Sequence, residues 1–224
     1  MAYRWDTFRT MVLNYASPFG DNYLLNSETS NLNVLIQRRL ESFTQDTHCL
    51  FDDRIALTLA QSTDAYNMRN LSVFAKPMVQ IQRVTVNGSI ISQIKVSDVA
   101  LLYPNWQTDS DGLPTVWWVQ PPHDLLFHPV PASAYSNSYI SGWYQHSAYA
   151  TDATSLDIPD EYIDDAARYT ALALVEPGKK ITPEFIAMAQ LSDKRVKEIR
   201  KESARMFTGP RPLRSDRRRT CYRL

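Results

Sequence analysis

Two changes of hydrophobic period constrain this chain more than any other feature. Apolar residues first recur every three or four positions, then alternate with polar ones from about residue 54, then return to helical spacing after about residue 157. One element cannot hold both periods. Helices from both ends of the chain must therefore enclose a β segment.

The first helical stretch, residues 5–16, sets Trp5, Phe8, Met11, Val12 and Tyr15 on one face, with Asp6 or Thr7 near its start and Pro18 and Gly20 ending it. A second begins near Ser30 as N-cap and aligns Leu32, Leu35, Ile36, Leu40 and Phe43, leaving Arg38 and Arg39 outward. After the β segment, Asp157-Ile158-Pro159-Asp160-Glu161 reads as a helix start, because proline suits the first turn and acids complement the dipole. Its expected apolar face is Tyr162, Ala166, Tyr169, Leu172 and Ala173, stopped by Pro177-Gly178. A last long helix runs from Thr182-Pro183-Glu184 to about Phe207. Phe185, Ala189, Ser192, Val196, Ile199, Ser203 and Met206 recur along it in steps of four and three, a narrow seam suited to close packing on a neighbour. Asp193–Lys197, Glu198–Lys201 and Glu202–Arg205 are spaced to pair on its exposed side.

Between these helices, RIALTLAQ (54–61) and MVQIQRVTV (78–86) alternate as half-buried strands do. Val86-Asn87-Gly88-Ser89 is a hairpin turn into SIISQIKV, since both central residues tolerate positive φ. Residues 97–103 read as one or two helical turns stopped before Pro104. Further strands are expected at 115–120, 125–128 and 139–145. Some five to seven antiparallel strands with short turns suggest a small sandwich or barrel.

Charge is segregated as sharply as periodicity. Residues 1–192 carry 12 Lys+Arg against 20 Asp+Glu, a net of −8, whereas residues 193–224 carry 12 against 4, a net of +8. The stretch GPRPLRSDRRRTCYRL at 209–224 holds six Arg, one Asp and no Lys. It has too few apolar residues to fold alone. A planar guanidinium suits bidentate, buried recognition better than an ammonium does, and Leu213, Tyr222 and Leu224 add apolar anchors. This reads as a docking arm that orders on a partner. A body of net −8 would not grip phosphates tightly, since affinity for duplex comes from neutralising them.

The 224-residue chain is 44% apolar and 21% charged, enough to bury a real core. No apolar run reaches bilayer-spanning length, so no integral membrane segment is expected, and MAYRWDTFRT lacks the order of a secretory signal, which points to synthesis inside the cell. Glycine is scarce, at 6 residues, and neither GxGxxG nor GxxxxGK[ST] occurs. Cys49 and Cys221 cannot build a disulfide framework. His48-Cys49 could be a base and nucleophile, but sequence neighbours on an extended segment point apart. His48, His123, His128 and His146 match no zinc spacing, although His128 and His146 could face each other across adjacent strands. Asp52-Asp53 is expected in a turn and Asp164-Asp165 near a helix N-terminus, where acids are stabilising anyway. Trp117, Trp118 and Trp143 could form a sugar platform; more often one ring of such a pair fills a core while the other covers a sheet face. No enzyme is expected, and no cofactor or metal.

Two segments carry a family resemblance. In LLYPNWQTDSDGLPTVWWVQPPHDLLFHPVP (101–131), a Tyr-Pro and a Gly-x-Pro precede a short strand, a turn and an x-Pro-x-Pro strand end; LDIPDEYIDDAARYTALALVE (156–176) follows with an Ile-Pro-Asp-Glu helix start. These resemble the β region and following helix of head-to-tail adaptor proteins of tailed bacteriophages, also called connector or head completion proteins. The resemblance extends as architecture over most of residues 1–208. It implies a homo-oligomeric ring of about twelve copies beneath the portal, extending the channel for genomic double-stranded DNA and offering a surface to tail or nozzle proteins. It implies a virion location at the head–tail junction after assembly in the host cytoplasm. Family members bind the portal partly through a C-terminal segment; here that is Gly209–Leu224, with Arg211, Leu213, Arg214, Arg217, Arg218, Arg219, Tyr222, Arg223 and Leu224 as portal-binding residues. The arginine density exceeds what the family pattern requires.

The expected fold is thus α+β: a bundle of about four helices (1–50 and 156–208), an inserted small antiparallel β-sandwich or barrel (51–155) and an extended basic tail (209–224). The alternative function is nucleic-acid binding through the same arginines, without any portal.

Overall fold

The computed structural model describes residues 3–19, 29–71, 73–146, 151–175 and 182–207. Among them it is α+β, with five α-helices and seven strands. The helices are α1 (Trp5–Ala16), α2 (Thr29–Thr47), α3 (Val96–Leu102), α4 (Ile163–Leu174) and α5 (Pro183–Phe207). The strands are β1 (Phe51–Ala56), β2 (Ala65–Asn67), β3 (Met78–Val86), β4 (Ser89–Gln93), β5 (Val116–Gln120), β6 (Asp124–His128) and β7 (Tyr139–Tyr144).

Helices from both chain ends share one apolar core. Trp5, Phe8 and Val12 of α1 meet Leu32, Ile36, Leu40 and Phe43 of α2, Ile163, Ala166, Ala167 and Ala171 of α4, and Ile199 of α5. The buried stripe of α4 is turned from the expected one: Leu174 lies inside, while Leu172 and Ala173 are only half-buried. Alanines make the difference, because their small side chains let three neighbouring helices close around α4. The α5 seam is as expected for Ser192, Ile199 and Ser203, which are buried, and for Phe185, Ala189 and Val196, which are half-buried. Of its expected ion pairs, Asp193–Lys197 forms at 2.6 Å, but Glu198 takes Arg195 at 2.9 Å.

Helix ends depend on partners remote in sequence. The N-cap residue Arg4 makes no side-chain cap bond; Asp6 Oδ1 accepts from the Thr7 amide, and the Trp5 and Asp6 amides donate to the Thr154 and Asp152 carbonyls, from a segment nearly 150 positions away. Ser30 lies within the first turn of α2, which starts at Thr29, and is not its N-cap.

The strands form a single curled sheet in the order β1-β7-β3-β4-β5-β6-β2. This corrects the expected all-antiparallel sandwich or barrel: β4 and β5 are parallel, with Ser92 opposite Val116 and Gln93 opposite Trp117. The cause is α3. A helix between two strands returns the chain in the same direction, so the second strand joins alongside rather than as a hairpin. β4 divides its edges, pairing its first residues with β3 and its last with β5. There the sheet bends around one core containing Ile55, Met78, Val84, Ile91, Trp117, Phe127 and Ile140. RIALTLAQ is a strand only to Ala56; Leu57 and Leu59 continue as isolated bridges to Phe74 and Tyr135. The hairpin turn is as expected, with Asn87 at φ 49° and Gly88 at φ 80°.

Gly142 of β7 marks the tightest approach in the sheet. A Cβ there would collide with the Gln80 carbonyl oxygen of β3 and come within 2.9 Å of Met78 Cε and 3.0 Å of Ile81 Cα. Backbone on the neighbouring strand cannot rotate away as a side chain can. Gly142→Ala is therefore expected to cost at least about 2 kcal/mol, checked by urea unfolding, with exposed Ser89→Ala within about 0.5 kcal/mol of the parent.

Candidate functional site

The expected portal-binding residues, Arg211, Leu213, Arg214, Arg217, Arg218, Arg219, Tyr222, Arg223 and Leu224, lie outside the described residues, as do Gly20, Pro177-Gly178 and Cys221. What is described is the helix that leads to them. α5 spans 25 residues, about 37 Å of axis, and its later half carries Lys194, Arg195, Lys197, Arg200, Lys201 and Arg205. Arg195 is anchored: Nη2 donates to Asp165 Oδ2 at 2.9 Å and Nη1 to Glu198 Oε2 at 2.9 Å, and those two carboxylates push its guanidinium pKa further up. On the other side of α4, Asp164 accepts from Tyr15 of α1 and pairs with Arg168 at 2.6 Å. The Asp164-Asp165 pair thus ties α4 to α1 and α5, one carboxylate to each.

α2, α4 and α5 leave a groove between them, a cavity of about 360 Å³. Leu172 and Ala173 of α4 and Ala189 and Val196 of α5 form its apolar floor; Arg39, Asp46 and Asp193 stand at its rim. Tyr169 donates its hydroxyl to Asp46 Oδ2 at 2.8 Å, and burial followed by that bond pushes its phenol up to about 12. Ser192 also lines the groove, with its hydroxyl buried and lacking a hydrogen-bond partner among the described residues. Helical spacing alone assigns Leu172 and Ala173 to the core, so the groove is not visible in the sequence. Their position on the α4 helix, one step off the alanine stripe, is the signal that separates them.

The residues weighed for catalysis are not assembled into a site. His48 has φ 53° at the end of α2, and its ring lies 5.5 Å from that of Trp143. Burial, then the charge of Arg200, holds its pKa below the ordinary value. Burial pushes the Cys49 thiol up to about 11, the opposite of an activated nucleophile. His128 and His146 do not face each other as expected. His128 lies against the tilted ring of Tyr103, centroids 4.5 Å apart, and 3.6 Å from Asp109, whereas His146 stacks on Trp5 and lies 3.5 Å from Asp157. Their strands are not neighbours, since β6 lies between β5 and β2 and β7 between β1 and β3. Asp52-Asp53 sits on β1 rather than in a turn, with Asp52 bound to Lys76 at 3.0 Å.

Trp117 and Trp118 are not a sugar platform, for both are buried. Successive residues of β5 point to opposite faces, so Trp117 enters the sheet core while Trp118 packs outside it with Val99, Leu126 and Trp106. Among the described residues, no helix is long and apolar enough to cross a membrane, and no three or more His, Cys, Asp or Glu residues are grouped to hold a metal ion. No family model and no curated protein matches the sequence.

Two outcomes follow from these environments. In a Cys221→Ser variant at pH 8, native Cys49 reacts with a disulfide reagent on the order of a hundredfold more slowly than in urea, because both access and thiolate fraction fall. Asp52 behaves in the opposite sense. Burial raises its pKa, but hydrogen bonds from the Arg54 amide and Lys76 outweigh burial and hold it below the ordinary value. Its contribution to stability is present above the unfolded carboxylate pKa and is lost as pH falls through the lower folded one. Asp52→Asn is therefore less stable than the parent at pH 7, and the two converge once the pH has fallen below the lowered folded pKa, as read by denaturant midpoints.

Proposed function

We propose that this chain is a virion structural protein: a head-to-tail adaptor of a tailed bacteriophage that binds beneath the portal as a ring. Residues 209–224 are the docking segment, and the folded body extends the DNA channel and offers a surface to tail or nozzle proteins. The observation that carries the reading is the division of charge, with +8 in residues 193–224 against −8 in the rest. An arginine-bearing segment continuing from a long helix is suited to wedge into a partner. Each copy binds weakly, and a ring of them binds with avidity. The element order, helices around a β insertion, is also that of the resemblance drawn from residues 101–131 and 156–176.

The acidic body supports a channel that does not hold DNA, because affinity for duplex comes from neutralising phosphates. Arginine density favours one rival, a nucleic-acid binder using the same segment, and salt separates them. Binding of the full chain to duplex DNA that falls steeply with salt and vanishes with Arg217→Glu, Arg218→Glu and Arg219→Glu together would support the rival.

The direct test is incorporation. A chain lacking residues 209–224, and the full-length chain with those three arginines reversed, are expected to keep the parent's circular dichroism and melting profile. Both should be missing from the head–tail vertex of particles. Normal incorporation of either would defeat the assignment of the segment.

A further inference from the structure

Asn-Gly occurs once in the chain, at Asn87-Gly88, in the two-residue turn that joins β3 to β4. Asparagine before glycine is also the dipeptide most open to reaction with itself, because no side chain shields the glycine nitrogen from the asparagine amide carbon. The turn stands in solvent: Asn87, Gly88, Ser89 and Ile90 are all exposed. Its backbone is left-handed at both central positions, φ 49° and 80°. The ladder pair that closes it is Val86 with Ser89, which leaves the two turn amides outside the sheet. The Gly88 N–H instead donates to the Asn137 carbonyl at 3.2 Å, on the segment just before β7.

We propose that Asn87 is a site of spontaneous deamidation that the closed β3–β4 turn holds shut, so that opening of the hairpin sets its rate. In the first step the Gly88 nitrogen attacks Asn87 Cγ and closes a five-membered imide ring. The Cγ–Nδ2 bond breaks, and Nδ2 leaves as ammonia with the proton that the Gly88 nitrogen gives up. Water then opens the ring at either carbonyl and yields aspartate or isoaspartate. Nothing is oxidised or reduced, and water is the one co-reactant. Two features of the native turn oppose the first bond. The Gly88 proton is committed to the Asn137 carbonyl. A left-handed residue also carries the next nitrogen on the side of its Cα–C bond away from Cβ, so the Gly88 nitrogen points away from Cγ. Ring closure needs rotation about that bond, which pulls Gly88 off Asn137 and undoes the turn.

Isoaspartate adds a backbone carbon to a turn that has only two residues, and a charge beside it. Turn length fixes the register of such a hairpin, and β4 has no pairing to spare: Ser89, Ile90 and Ile91 serve β3, while Ser92 and Gln93 serve β5. The modified chain is therefore loosened where the sheet bends. In the experiment, full-length protein is held in mildly alkaline buffer, native or in urea, and digested with trypsin at intervals. Residues 84–95, bounded by Arg83 and Lys95, contain Asn87 as their sole asparagine, so amide-to-acid conversion is read as a mass gain on one peptide. Native conversion is expected to be at least about tenfold slower than conversion in urea, because the rate follows the open fraction of the turn. Ile90→Gly, at an exposed position opposite Thr85, weakens the hairpin outside the core. It should speed native conversion about threefold and leave the rate in urea unchanged. Asn87→Gly keeps a left-handed turn and should abolish the mass gain, which assigns it to Asn87 rather than Gln93.

Equal rates in the native and the unfolded chain overturn the proposal, since the turn then protects nothing. So does an Asn87 that stays intact in urea, or an Ile90→Gly variant that converts at the parent's native rate, which would move control away from the hairpin. The purified isoaspartate form should unfold at a lower urea midpoint than the parent; an unchanged midpoint contradicts the role given to the turn in holding β4. None of these outcomes bears on the adaptor assignment, which incorporation into particles tests separately.

Discussion

Close packing against the alanine face of α4 is the contact on which the rest of the structure depends. Ala166, Ala167 and Ala171 are fully buried, and through them α4 touches α1, α2 and α5. A larger residue at these positions would hold the neighbours apart, since interiors at crystal-like density have no slack to absorb it. Polar clamps then set the rotation of α4: Asp164 toward Tyr15 and Arg168, Asp165 toward Arg195. Because α1 and α2 precede the sheet and α4 and α5 follow it, closing this core also closes the long β excursion.

The sheet is fastened to the helices where the chain leaves and re-enters them. Gln45 near the end of α2 bonds Gln145 just after β7 at 2.7 Å, and His146 stacks on Trp5 with its amide donating to Thr44 Oγ1. Cys49 packs against both cores, which accounts for its desolvated thiol. Farther out, the bend at β4 sends the sheet around its own core, and α3 crosses over the outer face. That helix covers Trp118 and little else. Its leucines are left facing outward, while α2, α4 and α5 leave between them a groove lined by Leu172, Ala173, Ala189 and Val196. Both surfaces are consequences of how small or short an element is.

Much of this was legible residue by residue. The Asn87-Gly88 turn needs positive φ at both positions, a requirement local to the dipeptide, and no tertiary contact alters it. The α5 seam is legible for a similar reason: its six described positions, from Phe185 to Ser203 over about five turns, outvote any single neighbour. Trp117 and Trp118 could be assigned to opposite faces from strand geometry alone, though not to their respective cores. Less was visible where partners are remote. The α1 amides are capped by carbonyls of residues 152–154, and nothing near residue 5 signals them. His128 and His146 were paired by strand proximity in sequence, which fails once the strand order is 1-7-3-4-5-6-2.

By itself the sequence determined the α+β class, the order of helices and strands, the hairpin at Asn87-Gly88 and the division of charge between the body and residues 193–224. These depend on periodicity, backbone sterics and ionisation, which act over a few residues or simply add. Only the tertiary structure decided that β4 and β5 run parallel, which face of α4 is buried, that Asp52 meets Lys76, and that an apolar groove remains between three helices. Each of these is a competition among distant surfaces for the same buried volume, and local pattern does not say which surface wins.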